Sequence, residues 1–420
     1  MEEITMEKVY DICCGVDVHK KLIVACLRDG RKSEVRQFGA TTRELLEMAA
    51  WLSEARCEMV AMESTASYWK PLYNVLEAQG LPVMVVNAQH MKAVPGRKTD
   101  VQDAEWIADL LQHGLLKASY IPSKEQRELR ELVQYRKSLI EDRGRELNRL
   151  QKMLEGGNIK LSGTVTQING KSARNILAFI TDGGQLDGAT YDKMLANKEI
   201  ANNLKASKEQ IIDDLNGVLS PIQRRVMKEL LSHLDELNEH IRNLDDDIDR
   251  FMKQEDKDAA RAIQEIPGIA ATSAQTIISV IGSDMRRFPS DRHISKWAGL
   301  CPGNNESANK RKSGKTTKGN KMLRTTLVNC AHSAVKVKRS YFSALFARIS
   351  AHRGKKRAYV AVAHSMLIAI YHVLRDGAIF KDLGADYYNQ FNRERKANGM
   401  LKKLKALGYE VTIAAVSTVA

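Results

Sequence analysis

The 420-residue sequence predicts an α/β domain at its N-terminal end, a long helical hairpin behind it, and a mostly α-helical C-terminal part. Three observations carry that prediction. Three strand-like runs open the chain and give way to alternating helical and strand-like segments. A heptad of apolar residues runs through the middle. The last third combines helix-period apolar spacing with a large excess of positive charge.

From about Tyr10 to Ala40, the runs YDICCGVDV, KLIVACLRDG and KSEVRQFGA read as three strands, with Asp29-Gly30 as the tight turn between the last two. Thr41 and Glu44 form a capping box for a helix through Ala55, and CEMVAME, Cys57 to Glu63, reads as a short buried strand ending in an acid. A helix containing Pro71, the strand LPVMVVN from Leu81, and a helix within KTDVQDAEWIADLL, Lys98 to Leu111, follow. This order fits a mixed sheet, the first three strands antiparallel and the later ones parallel.

Four acids stand out in this domain. Asp100 and Asp103 are three apart on a helix, so they face the same way with Cβ atoms roughly 5 to 6 Å apart. They lie beside the apolar stripe of Val101, Ala104, Ala108 and Leu111. Taken alone, two such acids need only favour the helix N-terminus, by about 0.3 to 1 kcal/mol each. Asp17 lies within the apolar strand ICCGVDV, where an unpaired buried carboxylate is costly, so it needs a metal, a cation or water. Glu63 ends a later strand, and ligands of such sheets gather at strand ends, so the four acids could converge and grip a divalent ion.

The set GVDVHK, MESTASYW and KTDVQDAEWIADLL resembles the signature of the DEDD transposases of bacterial insertion sequences, the insertion-sequence-110 type, in a subgroup like 1111. The resemblance implies an RNase H-like (RuvC-like) fold for residues 8–122 and a Mg2+ site made by Asp17, Glu63, Asp100 and Asp103, which match the four family acids in order. It covers nearly the whole chain.

From about Ser123 to residue 260 the chain reads as helical and highly charged. Val226, Leu230, Leu234, Leu237, Ile241, Leu244, Ile248 and Phe251 repeat at spacings of four and three, a heptad seam that needs a partner. Two partners are open: the earlier helix carrying Leu129, Leu132, Leu139, Leu147, Leu150 and Leu154, in a hairpin within the chain, or the same helix of a second subunit. Residues 156–208, rich in Gly, Asn and Ser, read as a small helical insertion.

Residues 261–384 read as a helical domain around a serine loop. IQEIPGIAATSAQTIISVIG reads as two short helices about a Pro267-Gly268 turn, either a phosphate-binding helix-hairpin-helix, although Ala270 replaces a common second glycine, or a plain helical turn. Between Lys310 and Arg324 lie Lys310, Arg311, Lys312, Lys315, Lys318, Lys321 and Arg324 with no acid, interleaved with Gly, Ser, Thr and Asn, as suits a mobile loop along a phosphate backbone. SGKTT is not a nucleotide-binding P-loop, because the motif needs a glycine where Asn309 stands. The family resemblance places the DNA-attacking serine in GLCPGNNES at Ser307, with Ser313 as the competitor nearer the basic cluster. Three further helices, NKMLRTTLVNCAHSAV, YFSALFARISAHRG and KKRAYVAVAHSMLIAIYHVLRDG, close the domain, and residues 385–420 form a basic tail with room for one more helix. His332, His352, His364 and His372 show no metal-ligand pattern.

Composition narrows the partners. The formal net charge is +14, but residues 286–420 hold 27 Lys and Arg against 7 Asp and Glu, net +20, leaving −6 for the rest. The C-terminal third is therefore the part that meets a polyanion. Cys13, Cys14, Cys26, Cys57, Cys301 and Cys330 form no CxxC pair and read as buried free thiols, as in a reducing cytoplasm. The apolar stretch near Val360 to Ile370 reads as too short to span a bilayer, so no membrane role is expected.

Together these readings point to a DNA transposase or recombinase that uses Mg2+ on Asp17, Glu63, Asp100 and Asp103 and a nucleophilic Ser307. The resemblance adds an element-encoded guide (bridge) RNA, and the heptad helix adds a homo-oligomer, dimer or tetramer. Two alternatives are a metal-dependent Holliday-junction-type endonuclease that never uses Ser307, and a non-enzymatic DNA-bridging protein.

Overall fold

The computed structural model describes residues 8–30, 32–64, 66–86, 100–302, 305–307, 310–313, 316–388 and 393–410, with side chains left aside at 303–315 and 389–396. Lys98 and Thr99 of the acidic motif, and Lys315 of the basic cluster, lie outside the described residues. The chain divides into two compact units, residues 1–123 and 124–420.

The first unit is built on a five-stranded sheet in the order β3-β2-β1-β4-β5. Strands β1 (Ile12–Val18), β2 (Leu22–Asp29) and β3 (Lys32–Gly39) form an antiparallel meander, and β4 (Met59–Glu63) and β5 (Val83–Val86) add to β1 in parallel. This is the mixed sheet the sequence predicts. Gly30 makes the β2–β3 turn at φ +59°, a conformation that favours glycine. Helix α1 (Thr42–Glu54) starts at Thr41, whose Oγ1 accepts from the Glu44 N–H at 3.4 Å and donates to Glu44 Oε2 at 2.6 Å. The Glu44 carboxylate accepts from Gly39 N–H rather than from the cap's own, a variant of the expected box. Helix α2 (Trp69–Ala78) carries Pro71 in its first turn, where the missing N–H costs nothing.

Alternation along the strands sends Cys14, Val16 and Val18 to one face of the sheet, where Met48, Leu52, Leu72 and Leu76 of α1 and α2 cover them. The opposite face is covered by α3 (Asp100–Gln112): Ile107 and Leu111 pack on Cys13 and Ala61, and Ala104 and Ala108 on Val24 and Cys26. Ile107, absent from the expected stripe, is fully buried, while Val101 is only partly so.

In the second unit, α4 (Lys124–Gly156) and α9 (Pro221–Phe251) form the long hairpin. The heptad seam finds its partner inside the chain: Leu237 and Ile241 pack on Leu139, Leu234 on Leu150 and Leu154, and Ile248 on Leu129 and Val133. Of the two partners open to this seam, the structure shows the one within the chain, α4, which covers its middle, while Val226 and Phe251 at its ends stand 40% exposed. Helix α9 begins with a complete capping box between Ser220 and Gln223 and Pro221 at its first position.

The insertion is helical, with α5 (Leu161–Thr164), α6 (Lys171–Thr181), α7 (Gly188–Ala196) and α8 (Lys208–Leu215) sharing a core with the adjoining parts of α4 and α9. The C-terminal core gathers α10 (Gln254–Gln264), α11 (Ala271–Ile281), α12 (Asp291–Trp297), α13 (Lys321–Ala334), α14 (Tyr341–Arg353) and α15 (Lys355–Asp376). Gly268, at φ +89° between α10 and α11, lies so close to α13 that a Cβ there would come within 2.5 Å of the Cys330 carbonyl. Close packing explains this glycine without a phosphate, which favours the plain helical turn. Helix α15 has 22 residues and is long and apolar enough to cross a membrane, which corrects the expectation that the stretch is too short. Val362, Met366, Leu367 and Ile370 instead bury in the helical core. In the tail, α16 (Arg393–Ala406) is the extra helix anticipated there.

Candidate metal centre and serine hairpin

Asp17 is the sixth residue of β1 and faces α3, on the side shared with Cys13 and Gly15. Its position there depends on Gly15. A Cβ at residue 15 would fall 2.2 Å from the Ala108 nitrogen and 2.4 Å from the Ala104 carbonyl, so only glycine lets α3 lie directly on β1. The far end of α3 is fixed as well: the Arg28 guanidinium pairs with Asp109 at 2.8 Å, and the buried Gln112 side chain donates to the Gly30 carbonyl at 3.1 Å. Seated on β1 along its middle and tied down at its far end, α3 presents its first residue, Asp100, beside the end of β1.

His19 joins the two acids. Its Nε2 lies 3.0 Å from Asp17 Oδ2 and 3.4 Å from Asp100 Oδ1, and the ligand atoms of Asp17, His19 and Asp100 all fall within 4.8 Å of one another. Asp17 is 5% exposed, whereas Asp100 and His19 are open to solvent. Burial raises the Asp17 carboxyl above the usual carboxylate range, and the negative charges of Asp100 and Asp103 push the same way, while the His19 ring opposes them. Asp103, one turn along α3, thus acts on Asp17 through its charge. Glu63 ends β4, whose Met62 is in parallel register with Val16, so Glu63 stands at the same sheet edge, one step beyond the paired residues. The close three-residue group contains Asp17 and Asp100; Glu63 and Asp103 flank it.

The partner that a buried Asp17 requires is present in this arrangement: it is His19. Sequence reasoning did not single this residue out, although its place two residues after Asp17 in GVDVHK was a usable signal. Such a set of carboxylates offers oxygen donors of the kind that hard divalent cations take. The thiols take no part: burial pushes Cys13 up to about 12 and Cys26 and Cys57 to about 11, which keeps them protonated. All six cysteines are free.

Ser307 lies in the second unit, on a structure the sequence did not predict. The expected mobile loop is instead a two-stranded antiparallel hairpin of β6 (Asn305–Ser307) and β7 (Lys310–Ser313), in which Ser307 is opposite Lys310 and Glu306 opposite Arg311. Ser313, the competing serine, pairs with Asn305 across a bulge. A bridge between Pro302 and Thr316 continues the pairing toward the base. There, Gly299 at φ +71° and Gly319 bring two backbones together, so that a Cβ on Gly319 would lie 2.2 Å from the Gly299 nitrogen. Backbone pairing satisfies the N–H and C=O groups of this polar segment, which has no apolar alternation to announce a strand. Of the basic residues, Lys310, Arg311 and Lys312 lie on β7; Lys318, Lys321 and Arg324 follow it into α13, and none of these last three forms an ion pair among the described residues.

Comparison with known proteins adds two family matches. A model of DEDD-type transposases of the IS110 kind matches residues 14–159, and a model described as the transposase IS116/IS110/IS902 family matches residues 260–347. The chain is 24% identical over 366 residues to the transposase for insertion sequence element IS1111A of Coxiella burnetii, covering 86% of this chain and 85% of that one. It is 25% identical over 340 residues to the putative transposase y4qE of Sinorhizobium fredii, covering 76% and 70% respectively. Among solved structures, T. thermophilus RuvC in complex with a Holliday junction substrate aligns at 14% identity and a TM-score of 0.20, over 26% of this chain and 99% of that one.

Proposed function

The chain belongs to the IS110 family of transposases, enzymes that cut and transfer DNA strands, and we propose that it does so with Mg2+ held by Asp17, Glu63, Asp100 and Asp103 and with Ser307 as the nucleophile. The approach of Asp100 to the buried Asp17 through a helix seated on Gly15 carries the metal half of this reading. All four side chains are carboxylates, and Mg2+ takes oxygen ligands and keeps several waters. When bound, the ion polarises a scissile phosphate and helps to activate the attacking hydroxyl. Asp17 anchors the set from the sheet, Glu63 adds a carboxylate from the neighbouring strand, and the two α3 acids close it from the solvent side.

Ser307 supplies the covalent half. Attack by Oγ forms an O–P bond to one DNA strand and releases the adjoining strand as a free hydroxyl, which takes up the serine's proton. The phosphodiester energy is kept for rejoining. A serine hydroxyl is a weak nucleophile, so the developing phosphorane charge must be met by cations, and Lys310, Arg311, Lys312, Lys315, Lys318, Lys321 and Arg324 are the nearest in sequence. The same basic segment supports contact with DNA phosphates.

The family resemblance supports an element-encoded guide RNA that pairs with donor and target DNA, and the net +20 of residues 286–420 supplies charge enough for both nucleic acids. Action as a dimer or tetramer, in the bacterial cytoplasm beside the nucleoid, belongs to the same reading; its subunit contacts would use surfaces other than the covered middle of the heptad seam.

The test is strand cleavage and joining on DNA carrying the element's ends, with co-expressed flanking sequence. Asp17→Asn and Ser307→Ala should each abolish joined product, and RNA of one defined sequence should co-purify with the wild type. One observation favours a second reading, a metal-dependent junction nuclease: Asp17, Glu63, Asp100 and Asp103 all belong to residues 1–123, apart from the unit that carries Ser307. Cleavage that survives Ser307→Ala but not Asp17→Asn would establish that alternative.

A further inference from the structure

The DEDD pattern contains no nitrogen ligand, yet the side chain that bridges Asp17 and Asp100 is an imidazole. His19 opens the β1–β2 turn, and its backbone N–H donates to the Leu22 carbonyl at 2.9 Å, which fixes the residue beside the strand end. A divalent ion with bonds of about 2.1 Å sets adjacent octahedral ligands about 3.0 Å apart. The His19 Nε2 distance of 3.0 Å to Asp17 Oδ2 matches such an edge, and that of 3.4 Å to Asp100 Oδ1 lies a few tenths beyond it, within reach of an exposed side chain. A ring that served only as a counter-ion for Asp17 would need one contact; this one meets a carboxylate from each of the two elements that build the site.

We propose that His19 is itself a metal ligand, through Nε2, and that it makes the centre a mixed nitrogen and oxygen site that favours first-row ions such as Mn2+ over Mg2+. Imidazole donors suit first-row transition ions, whereas Mg2+ holds to oxygen ligands and water. The inference rests on the reading above that Asp17 and Asp100 hold the metal, and it adds to that reading a nitrogen donor and an order of ion preference. As a neutral ring, His19 would ligate without adding positive charge, so the carboxylates keep their full attraction for the cation.

The test uses the full chain with one equivalent of Mn2+ and pulsed EPR, which reads coupling from a directly bound imidazole nitrogen. The wild type should show that coupling. Because the chain has ten histidines, His19→Ala provides the assignment: the coupling should vanish, Mn2+ affinity should fall about tenfold, the scale of losing a group that supports a metal site, and Mg2+ affinity should hardly change. If His19→Ala folds poorly, His19→Gln, which keeps a polar side chain at the turn but offers no imidazole nitrogen, makes the same assignment, and a wild type without nitrogen coupling overturns the proposal by itself. Bound Mn2+ that is weakened by Asp17→Asn yet shows no nitrogen coupling, or coupling that persists in His19→Ala, overturns the role of His19 and leaves the acidic metal site standing. Mn2+ binding indifferent to both Asp17→Asn and Asp100→Asn overturns the metal reading itself.

Discussion

The acid cluster and the serine hairpin each depend on a glycine that lets two backbones meet, but they are built from opposite kinds of sequence. Around Asp17 the chain is apolar and buried on both faces of the sheet, and Gly15 seats a whole helix against it. Around Ser307 the chain is polar and basic, and Gly299 with Gly319 only clasps the base of two short strands. The difference suits what each part does in the proposed reaction. Carboxylates that repel one another must be held together before a cation arrives, so the scaffold has to be rigid. In the proposed reaction Ser307 meets a long polyanion, and a slender carrier with a fixed base and cationic flanks suits that role.

Gly15→Val should break the comparison most severely. Its side chain would have to enter the backbone of α3, so we expect a loss on the order of 3 to 5 kcal/mol, read as early unfolding of residues 1–123 in hydrogen exchange while the helical unit stays protected. A variant as stable as the wild type would remove the close-approach argument. Gly319→Ala should cost less, about 1 to 3 kcal/mol confined to the clasp, and should abolish strand joining with the melting of the first unit unchanged.

Asp17→Asn should act in the other direction. Because folding raises the Asp17 pKa, the folded state holds that proton more tightly than the unfolded chain does. The stabilisation is complete at pH below the unfolded value and is lost as pH rises through the raised folded value, so at neutral pH the ionised group weakens the metal-free protein. The Asn variant should therefore melt higher than the wild type at pH above the raised folded value, with a gap that closes as the pH is lowered. Equal melting at neutral pH, or a gap that widens in acid, would contradict this. The smallest effect is expected for Lys318→Ala, Lys321→Ala and Arg324→Ala combined. Weaker DNA binding should come with a log–log salt slope about 3 lower in magnitude, close to the 0.9 per phosphate contact of duplex DNA, and an unchanged slope would exclude them from the backbone contact.

Much of the first unit was legible because its signals are local. Strand-like runs with the Asp29-Gly30 turn marked β1 to β3, Thr41 with Glu44 marked the start of α1, and Asp17, Glu63, Asp100 and Asp103 stood near strand and helix ends. What escaped were relations between distant residues. Nothing near Gly15 announces Ala104 and Ala108 ninety positions on, and the link from His19 to Asp100 exists only once α3 is seated. The serine hairpin escaped for another reason: KRKS and NES carry no apolar alternation, so composition read as a mobile loop although backbone pairing alone shapes it. The heptad was plain in the sequence, but a seam does not say whose helix fills it. The charges around it are also spent within the chain: Arg136 on α4 is buried and pairs with Asp245 on α9 at 2.5 Å, and Arg149 and His233 share Glu146.

The most direct measurement is a denaturing gel for a covalent protein–DNA adduct, run on wild type, Ser307→Ala and Asp17→Asn with element DNA and with or without Mg2+. The expected result is an adduct in the wild type with Mg2+ alone, absent from both variants and from the metal-free sample. An adduct that survives Ser307→Ala, or that forms in Asp17→Asn or without metal, would contradict the joint action of the acid cluster and the serine.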